Sequence, residues 1–137
     1  MFRLNNEKGI AAIEFGLILP VLLFLVMGII DFGMLMTSRA SMVSASREGA
    51  RAGIVVGVPS VTEADIATVV RNALTISGWD PYEVASATVN VNGAGGAFGT
   101  DLTVVVNSNY SFLVLSKLIP SIADQLLLNA STTMKME

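Results

Sequence analysis

One long apolar run near the amino terminus constrains this chain more than any other feature. The sixteen residues from Phe15 to Ile30 carry no charge and no strongly polar side chain. Together with Ile10 to Ile13 they predict an apolar helix of 21 residues that is interrupted only by Glu14. At about 1.5 Å per residue this helix is roughly 32 Å long, which is enough to cross a bilayer. The sequence therefore predicts a membrane-spanning helix over residues 10–30.

Two other structures compete for the same run. A cleavable secretory signal has a shorter apolar core and a small-x-small cleavage site after it, whereas this run ends in Ile29-Ile30-Asp31-Phe32. A buried helix of a soluble protein would be shorter and would have a polar face. Length and the absence of a polar face favour the membrane span.

The charges that flank the run predict its orientation. Arg3, Lys8 and the terminal amine outweigh Glu7 in residues 1–9, and positively charged flanks stay on the cytoplasmic side. We therefore expect a cytoplasmic leader over residues 1–9 and a carboxyl-terminal portion across the membrane. Residues 53–137 contain three basic and seven acidic side chains, a net charge of −4. This acidic balance argues against a nucleic-acid partner, because phosphates require a basic surface.

The helical pattern continues beyond the apolar run. No proline occurs between Asp31 and Ala52. Apolar residues recur there near the helical period, and Arg47 and Arg51 belong to a separate polar face. We expect one helix over residues 10–52, with 31–52 as its periplasmic extension, ended by Gly53 and the Gly57-Val58-Pro59 stretch. The predicted apolar face consists of Phe32, Met36, Ala40, Val43 and Ala50.

Residues 53–137 predict a small α+β head. A second helix is expected to begin at Ser60, with Glu63 completing a capping box, and to end at Gly78. Three alternating stretches, near 87–92, 102–107 and 128–136, predict a three-stranded antiparallel sheet that faces both helices. The apolar connection over 111–125 has room for a short helix. The predicted apolar stripe of the second helix is Ile66, Val69, Val70, Ala73 and Ile76.

The chain offers little catalytic chemistry. It has no cysteine and no histidine, which removes the commonest metal ligands and the commonest general base. Without histidine only a serine–lysine pair could supply an activated nucleophile, and no other catalytic signal accompanies Ser116-Lys117. The glycine-rich loop over 93–99 lacks the spacing of a phosphate-binding motif and leads into a strand. We predict no enzyme activity, no catalytic residue, no metal, no cofactor and no small-molecule substrate.

The sequence from Lys8 to Phe15 resembles the processing site of prepilins in the tight-adherence (Tad, or Flp) branch of type IV pili. In that family a prepilin peptidase cuts after a glycine on the cytoplasmic side, and a glutamate followed by an aromatic residue lies a few residues later. The resemblance implies a cut between Gly9 and Ile10. Glu14 would then be the fifth residue of the mature chain, and Phe15 would take the aromatic position.

A second block of residues narrows the resemblance. Asp31-Phe32-Gly33 and Arg47-Glu48-Gly49-Ala50-Arg51 are similar to the signature of TadE-like proteins. The resemblance implies a pilin-like fold and a minor pilin or pseudopilin at the bacterial inner membrane. It also implies three partners: the prepilin peptidase, other pilin or pseudopilin subunits, and the inner-membrane assembly platform. TadF and TadG proteins share the amino-terminal pattern, and many relatives have a cysteine pair that this chain lacks.

Glu14 requires a physical reason, because a carboxylate in an apolar span is costly. After the predicted cut, the new amine of Ile10 would lie one helical turn from Glu14. The two charges could pair within a chain or between chains, whereas an unpaired carboxylate buried in an assembly would be strongly destabilising. Two alternatives remain at this stage. Glu14 could extend to the interface without a partner, and the chain could be an uncleaved single-pass protein whose periplasmic head binds another envelope protein.

Overall fold

The computed structural model describes residues 6–55, 60–112 and 126–137, with side chains from Gly9 onward. The chain forms a long amino-terminal helix followed by two helices and a three-stranded antiparallel sheet, which confirms the predicted α+β class. Part of the predicted leader, all of the Gly57-Val58-Pro59 stretch and most of the 111–125 connection, with Ser116 and Lys117, lie outside these residues. The elements are α1 (Asn6–Gly53), α2 (Glu63–Ile76), α3 (Pro81–Ser86), β1 (Thr88–Asn92), β2 (Asp101–Tyr110) and β3 (Leu126–Lys135).

Helix α1 is a single helix of 48 residues that continues through Pro20. It begins at Asn6, earlier than predicted, since residues 6–9 contain no proline and Gly9 alone does not stop a helix. It ends at Gly53 as predicted. A Cβ at Gly53 would lie 2.5 Å from Ile66 Cδ1 and 2.6 Å from Leu102 Cδ2, so the end of α1 touches both α2 and the sheet. The division of α1 into membrane and periplasmic parts stays a prediction.

The amino-terminal cap of α2 is Thr62, and the predicted start at Ser60 with Glu63 is wrong. The Thr62 Oγ1 accepts a hydrogen bond from the Asp65 N–H (3.3 Å), and the Asp65 carboxylate accepts one from the Thr62 N–H (3.0 Å). Both pairs have the capping-box spacing, but the observed pair lies two residues later. At the other end, Gly78 has a φ of +90°, as expected for a glycine just after a helix.

Helix α3 was not predicted from the sequence. The side chains of Asp80 and Glu83 are exposed. The Asp80 carboxylate nevertheless accepts a hydrogen bond from the Tyr82 N–H (2.8 Å), and Pro81 occupies the first helical position. A good cap and a favourable proline thus support a short helix that was too short to show a periodic pattern.

The sheet has the strand order β1-β2-β3, and both pairs are antiparallel. Its predicted alternation is confirmed, because Val104 pairs with Val91 and Val106 with Ala130 on the inner face. The outer face is polar, and the Asn129 Nδ2 donates a hydrogen bond to the Asn107 Oδ1 (2.6 Å). The inner face packs against α1 and α2 to form the core, with buried Leu102, Val104, Val106, Leu128 and Ala130 from the sheet.

The face of α1 that packs against the head agrees with the predicted one at Ala50, which is buried, and at Val43, which packs against the core, and differs from it elsewhere. Phe32, Met36 and Ala40 are exposed, and Ile76 of α2 is 87% exposed although it was assigned to the apolar stripe. The helical period allows several faces, and the observed one contains small side chains that permit close approach of α2. The buried face of α1 consists of Asp31, Leu35, Met42, Ala45, Ser46, Gly49, Ala50 and Gly53.

Two glycines of α1 provide a matched test of this close approach. A Cβ at Gly49 would clash with the Cγ2 of fully buried Val70, whereas a Cβ at Gly33 meets nothing within 4 Å. Gly33→Ala should raise the free energy of unfolding by about 0.5–1 kcal/mol through helix propensity. Gly49→Ala should lower it by about 1–3 kcal/mol through overpacking. Denaturant unfolding in detergent measures both, and a stabilising Gly49→Ala would contradict the packing described here.

Candidate functional site

The amino-terminal half of α1 has apolar side chains exposed on every face. This helix contains an 18-residue window with a mean hydropathy of 2.6, and none of that window is buried in the protein. Among the described residues it is the one helix that is long and apolar enough to cross a membrane. Its length and composition are compatible with a single-pass anchor. The orientation of the anchor stays a prediction from the flanking charges.

The predicted cleavage site lies near the start of α1. Gly9 and Ile10 are helical and exposed, and a Cβ added at Gly9 meets nothing within 4 Å. The peptide bond between them is thus open to an enzyme from the side, although its helical conformation would have to be accommodated or unwound. A side chain at Gly9 would leave the described packing unchanged.

Glu14 lies one helical turn after Ile10, and its side chain is exposed. Its neighbours Ile13, Phe15 and Leu17 are exposed apolar residues. Within the described part of the chain, the Glu14 carboxylate has no hydrogen bond or ion pair. The structure therefore places Glu14 and Phe15 together on the free surface of the helix. Their roles in recognition and assembly stay predictions.

The second block of signature residues starts where α1 meets the head. The side chain of Asp31 is fully buried, and the Tyr110 hydroxyl donates a long hydrogen bond to the Asp31 carbonyl oxygen (3.4 Å). The neighbouring Phe32 and Gly33 are exposed. Asp31 therefore marks the first contact between α1 and the end of β2.

The Arg47-to-Arg51 segment has two faces with different surroundings. Gly49 and Ala50 are buried beneath α2, whereas Arg47, Glu48 and Arg51 are exposed. The buried face provides the close contact between the helices, and the exposed charges remain available to solvent or to a partner. The preceding Ser46 Oγ donates to the Val43 carbonyl (2.9 Å), and it lies 2.7 Å from the Thr132 Oγ1, so this stretch also contacts β3.

A recess of about 730 Å³ separates the middle of α1 from the head. The rings of Tyr110 and Phe112 meet edge to face in its wall, with centroids 5.5 Å apart. Sequence reasoning missed this recess because its lining comes from three distant segments. The lining residues are Ile30, Gly33, Met34, Thr37, Ser38 and Ser41 from α1, Ser77, Gly78, Trp79 and Glu83 around α3, and Tyr110, Ser111 and Phe112 after β2.

The electrostatics of the recess favour neutral or cationic groups. Burial raises the pKa of the Tyr110 hydroxyl, and the negative charges of Asp31 and Glu83 raise it further. Within the described residues, no three potential ligands from histidine, cysteine, aspartate and glutamate come together to hold a metal ion. The recess thus presents aromatic rings and hydroxyl groups, with a carboxylate in its lining.

Comparison with known families finds one match. Residues 9–51 match the family model described as TadE-like protein, which confirms the resemblance over this segment. The match covers less than half of the chain and falls entirely within α1. It supports a protein associated with the tight-adherence (Flp) pilus. Comparisons with curated proteins and with solved structures find no match.

The contact between the matched helix and the head can be tested through Tyr110. The raised pKa means that the unfolded state loses the phenolic proton first as the pH rises above about 10. The stabilising contribution of the neutral phenol is therefore complete below that pH and is lost above it. The free energy of unfolding of Tyr110→Phe should fall less steeply with rising pH than that of the parent. Urea titrations between about pH 8 and pH 11 measure this difference. Tyr82→Phe, at an exposed phenol, should behave as the parent, and equal behaviour of all three proteins would contradict this assignment.

Proposed function

We propose that this chain, whose residues 9–51 match the TadE-like family model, is a minor pilin or pseudopilin of a tight-adherence pilus. It would be a structural or assembly subunit of an adhesive fibre. In this proposal α1 anchors the protein in the bacterial inner membrane, with the amino terminus in the cytoplasm and the head in the periplasm. The observation that carries the proposal is the position of the Gly9–Phe15 motif at the start of an exposed apolar helix.

The packing of α1 supports an assembly role. From Leu35 to Gly53 one face of the helix is buried by α2 and the sheet, whereas residues 9–30 have no contact partner that buries them in the described structure. A free apolar helix can be surrounded by lipid, or it can pack against equivalent helices once subunits leave the bilayer. The head shares one core with Leu35 to Gly53 of α1, and this core would stay folded through either arrangement.

Glu14 would control this exchange of lipid for protein neighbours. Its carboxylate projects from the free part of α1, one turn from the amine that cleavage at Gly9-Ile10 would create. Pairing with the amine of a neighbouring subunit would satisfy the charge in the assembly and would fix the axial register of the helices. A partner amine is thus the proposed reason for a carboxylate in this segment.

The proposed subunit needs partner proteins and catalyses no reaction itself. The prepilin peptidase would process it, and other pilin or pseudopilin subunits and the inner-membrane assembly platform would bind it. We propose no enzyme activity, cofactor or small-molecule substrate. The alternative is an uncleaved single-pass anchor whose head binds another envelope protein, and this alternative needs neither Gly9 nor a partner for Glu14.

Processing should depend on Gly9. The peptidase must approach the backbone closely, and a residue without a side chain permits this approach. Gly9→Val should leave the precursor uncut while it still inserts into the membrane, because the apolar run over residues 15–30 is unchanged and a Cβ at Gly9 meets nothing within 4 Å. Gly28→Val is the matched control, since a Cβ there also meets nothing within 4 Å, and it should be processed normally. The measurement is the mass of the membrane-extracted protein, and equal cleavage of both variants would refute the assigned site.

Loss of the Glu14 charge should impair assembly and not insertion. On insertion energetics alone, Glu14→Ala should favour the membrane-embedded state by about 2 kcal/mol or somewhat more. We expect normal membrane levels and normal processing but reduced pilus assembly and adhesion. Glu14→Gln should be similarly defective, because the amide keeps the volume but loses the charge-assisted hydrogen bond to an amine.

Two readouts separate the possible roles of Glu14. Defective assembly with normal processing would assign the carboxylate to subunit pairing, whereas defective processing would assign it to recognition by the peptidase. Wild-type assembly and adhesion by both variants would show that Glu14 only extends to the membrane interface. Measuring processing and surface pili in the same cells distinguishes these outcomes.

A further inference from the structure

The head lies along α1 in a defined direction. At one end, the Glu137 N–H donates a hydrogen bond to the Ile54 carbonyl (2.9 Å), beyond the last turn of the helix. At the other end, Tyr110 reaches the Asp31 carbonyl, and Leu126 pairs with Tyr110 across the sheet. Helix α2 is antiparallel to α1. Ile66, near the start of α2, lies beside Gly53, and Ser77, just after its end, lines the recess together with Thr37 of α1. One end of the head is therefore level with Asp31, the first residue after the apolar run.

Several exposed apolar side chains of the head lie at that end. In the described part of the chain after α1, six large apolar residues are exposed, and three of them lie there: Tyr82 next to Glu83 of the recess, Leu126 opposite Tyr110, and the adjacent Leu127. Ile76 lies farther along α1, because Val70, six residues earlier in α2, contacts Gly49. Tyr82 is 81% exposed and Leu127 is 64% exposed. The half-buried Trp79 and Phe112 lie beside them. We call this group the proximal surface, and its residues are Trp79, Tyr82, Phe112, Leu126 and Leu127.

We propose that the proximal surface of the head rests in the interfacial layer of the bilayer from which α1 emerges. The inference relies on the membrane anchorage in the proposed function. The headgroup layer is about 5–8 Å thick on each side, which corresponds to roughly four or five helical residues after the span. Asp31 to Leu35 therefore pass through this layer, and the proximal surface lies at their level.

Lipid fits this surface better than a protein partner does. The surface is continuous with the exposed apolar side chains of α1 at Ile30 and Phe32, which the same bilayer would cover. Tryptophan and tyrosine favour the membrane interface, where the ring contacts lipid and the polar atom stays hydrated. Among the described residues, the exposed large apolar side chains at the opposite end of the head are Phe98 and Val55. Contact with lipid would fix the distance of the head from the bilayer. A subunit that leaves the bilayer would have to break this contact.

Trp79 makes this inference directly measurable, because it is the single tryptophan of the chain. The full-length protein is reconstituted in vesicles of phosphatidylethanolamine and phosphatidylglycerol that contain lipids brominated high on the acyl chain. We expect a loss of Trp79 emission relative to vesicles without bromine, because bromine quenches only nearby indole rings. Trp79 emission that is unchanged by brominated lipid would overturn the inference.

Two single-tryptophan variants in a Trp79→Phe background serve as controls. Phe98→Trp places the probe at the opposite end of the head, where the parent side chain is 80% exposed, and its emission should not be quenched. Phe24→Trp places the probe within the apolar run and should be quenched. If Phe24→Trp is not quenched, the anchorage in the proposed function fails. If Phe24→Trp is quenched but Trp79 is not, only the present inference fails.

Two further outcomes would also overturn the inference. Equal quenching of Trp79 and Phe98→Trp would show that lipid contact is not specific to the proximal surface. Shielding of Trp79 from aqueous iodide without quenching by brominated lipid would indicate a second copy or another protein on this surface. Selective quenching of Trp79 over Phe98→Trp supports the bilayer contact.

Discussion

The close contact between α1 and α2 at Gly49 is the interaction on which the rest of the structure depends. A helix that is apolar on every face cannot be covered by a head of this size, so only its second half is packed against protein. Gly49, Ala50 and Gly53 let α2 and β2 approach the helix closely enough to build one core. Van der Waals contact at this distance fixes the head on α1 and leaves residues 9–30 free.

The two signature blocks of α1 therefore have separate physical tasks. The block around Gly9 and Glu14 contributes nothing to the described core, and its residues are exposed in a segment that lipid or other helices must cover. The block from Arg47 to Arg51 contains the small side chains that hold the head. Exposed Arg47, Glu48 and Arg51 lie on the same segment but point away from that contact. A match over residues 9–51 thus includes both the proposed assembly surface and the docking surface of the head.

Much of the fold follows from periodicity, whereas the contacts between elements do not. The alternation of Leu102, Val104 and Val106 predicted the buried face of β2, and Gly53 and Gly78 marked the ends of the first two helices. The predicted apolar face of α1 was right at Ala50 but wrong at Phe32, Met36 and Ala40, because hydropathy favoured large side chains whereas the close contact with α2 uses Gly49. The same limitation explains why the recess and the proximal surface were missed. Both join segments that are distant in sequence.

A pilin-like subunit and an uncleaved anchor differ most directly at the amino terminus of the mature protein. If the chain is a pilin-like subunit, the protein extracted from membranes of cells that contain the prepilin peptidase should begin at Ile10. The same protein from cells without the peptidase should retain the leader. N-terminal sequencing measures this difference. A chain that begins at Met1 in both cell types would contradict the proposed function and would support an uncleaved membrane anchor.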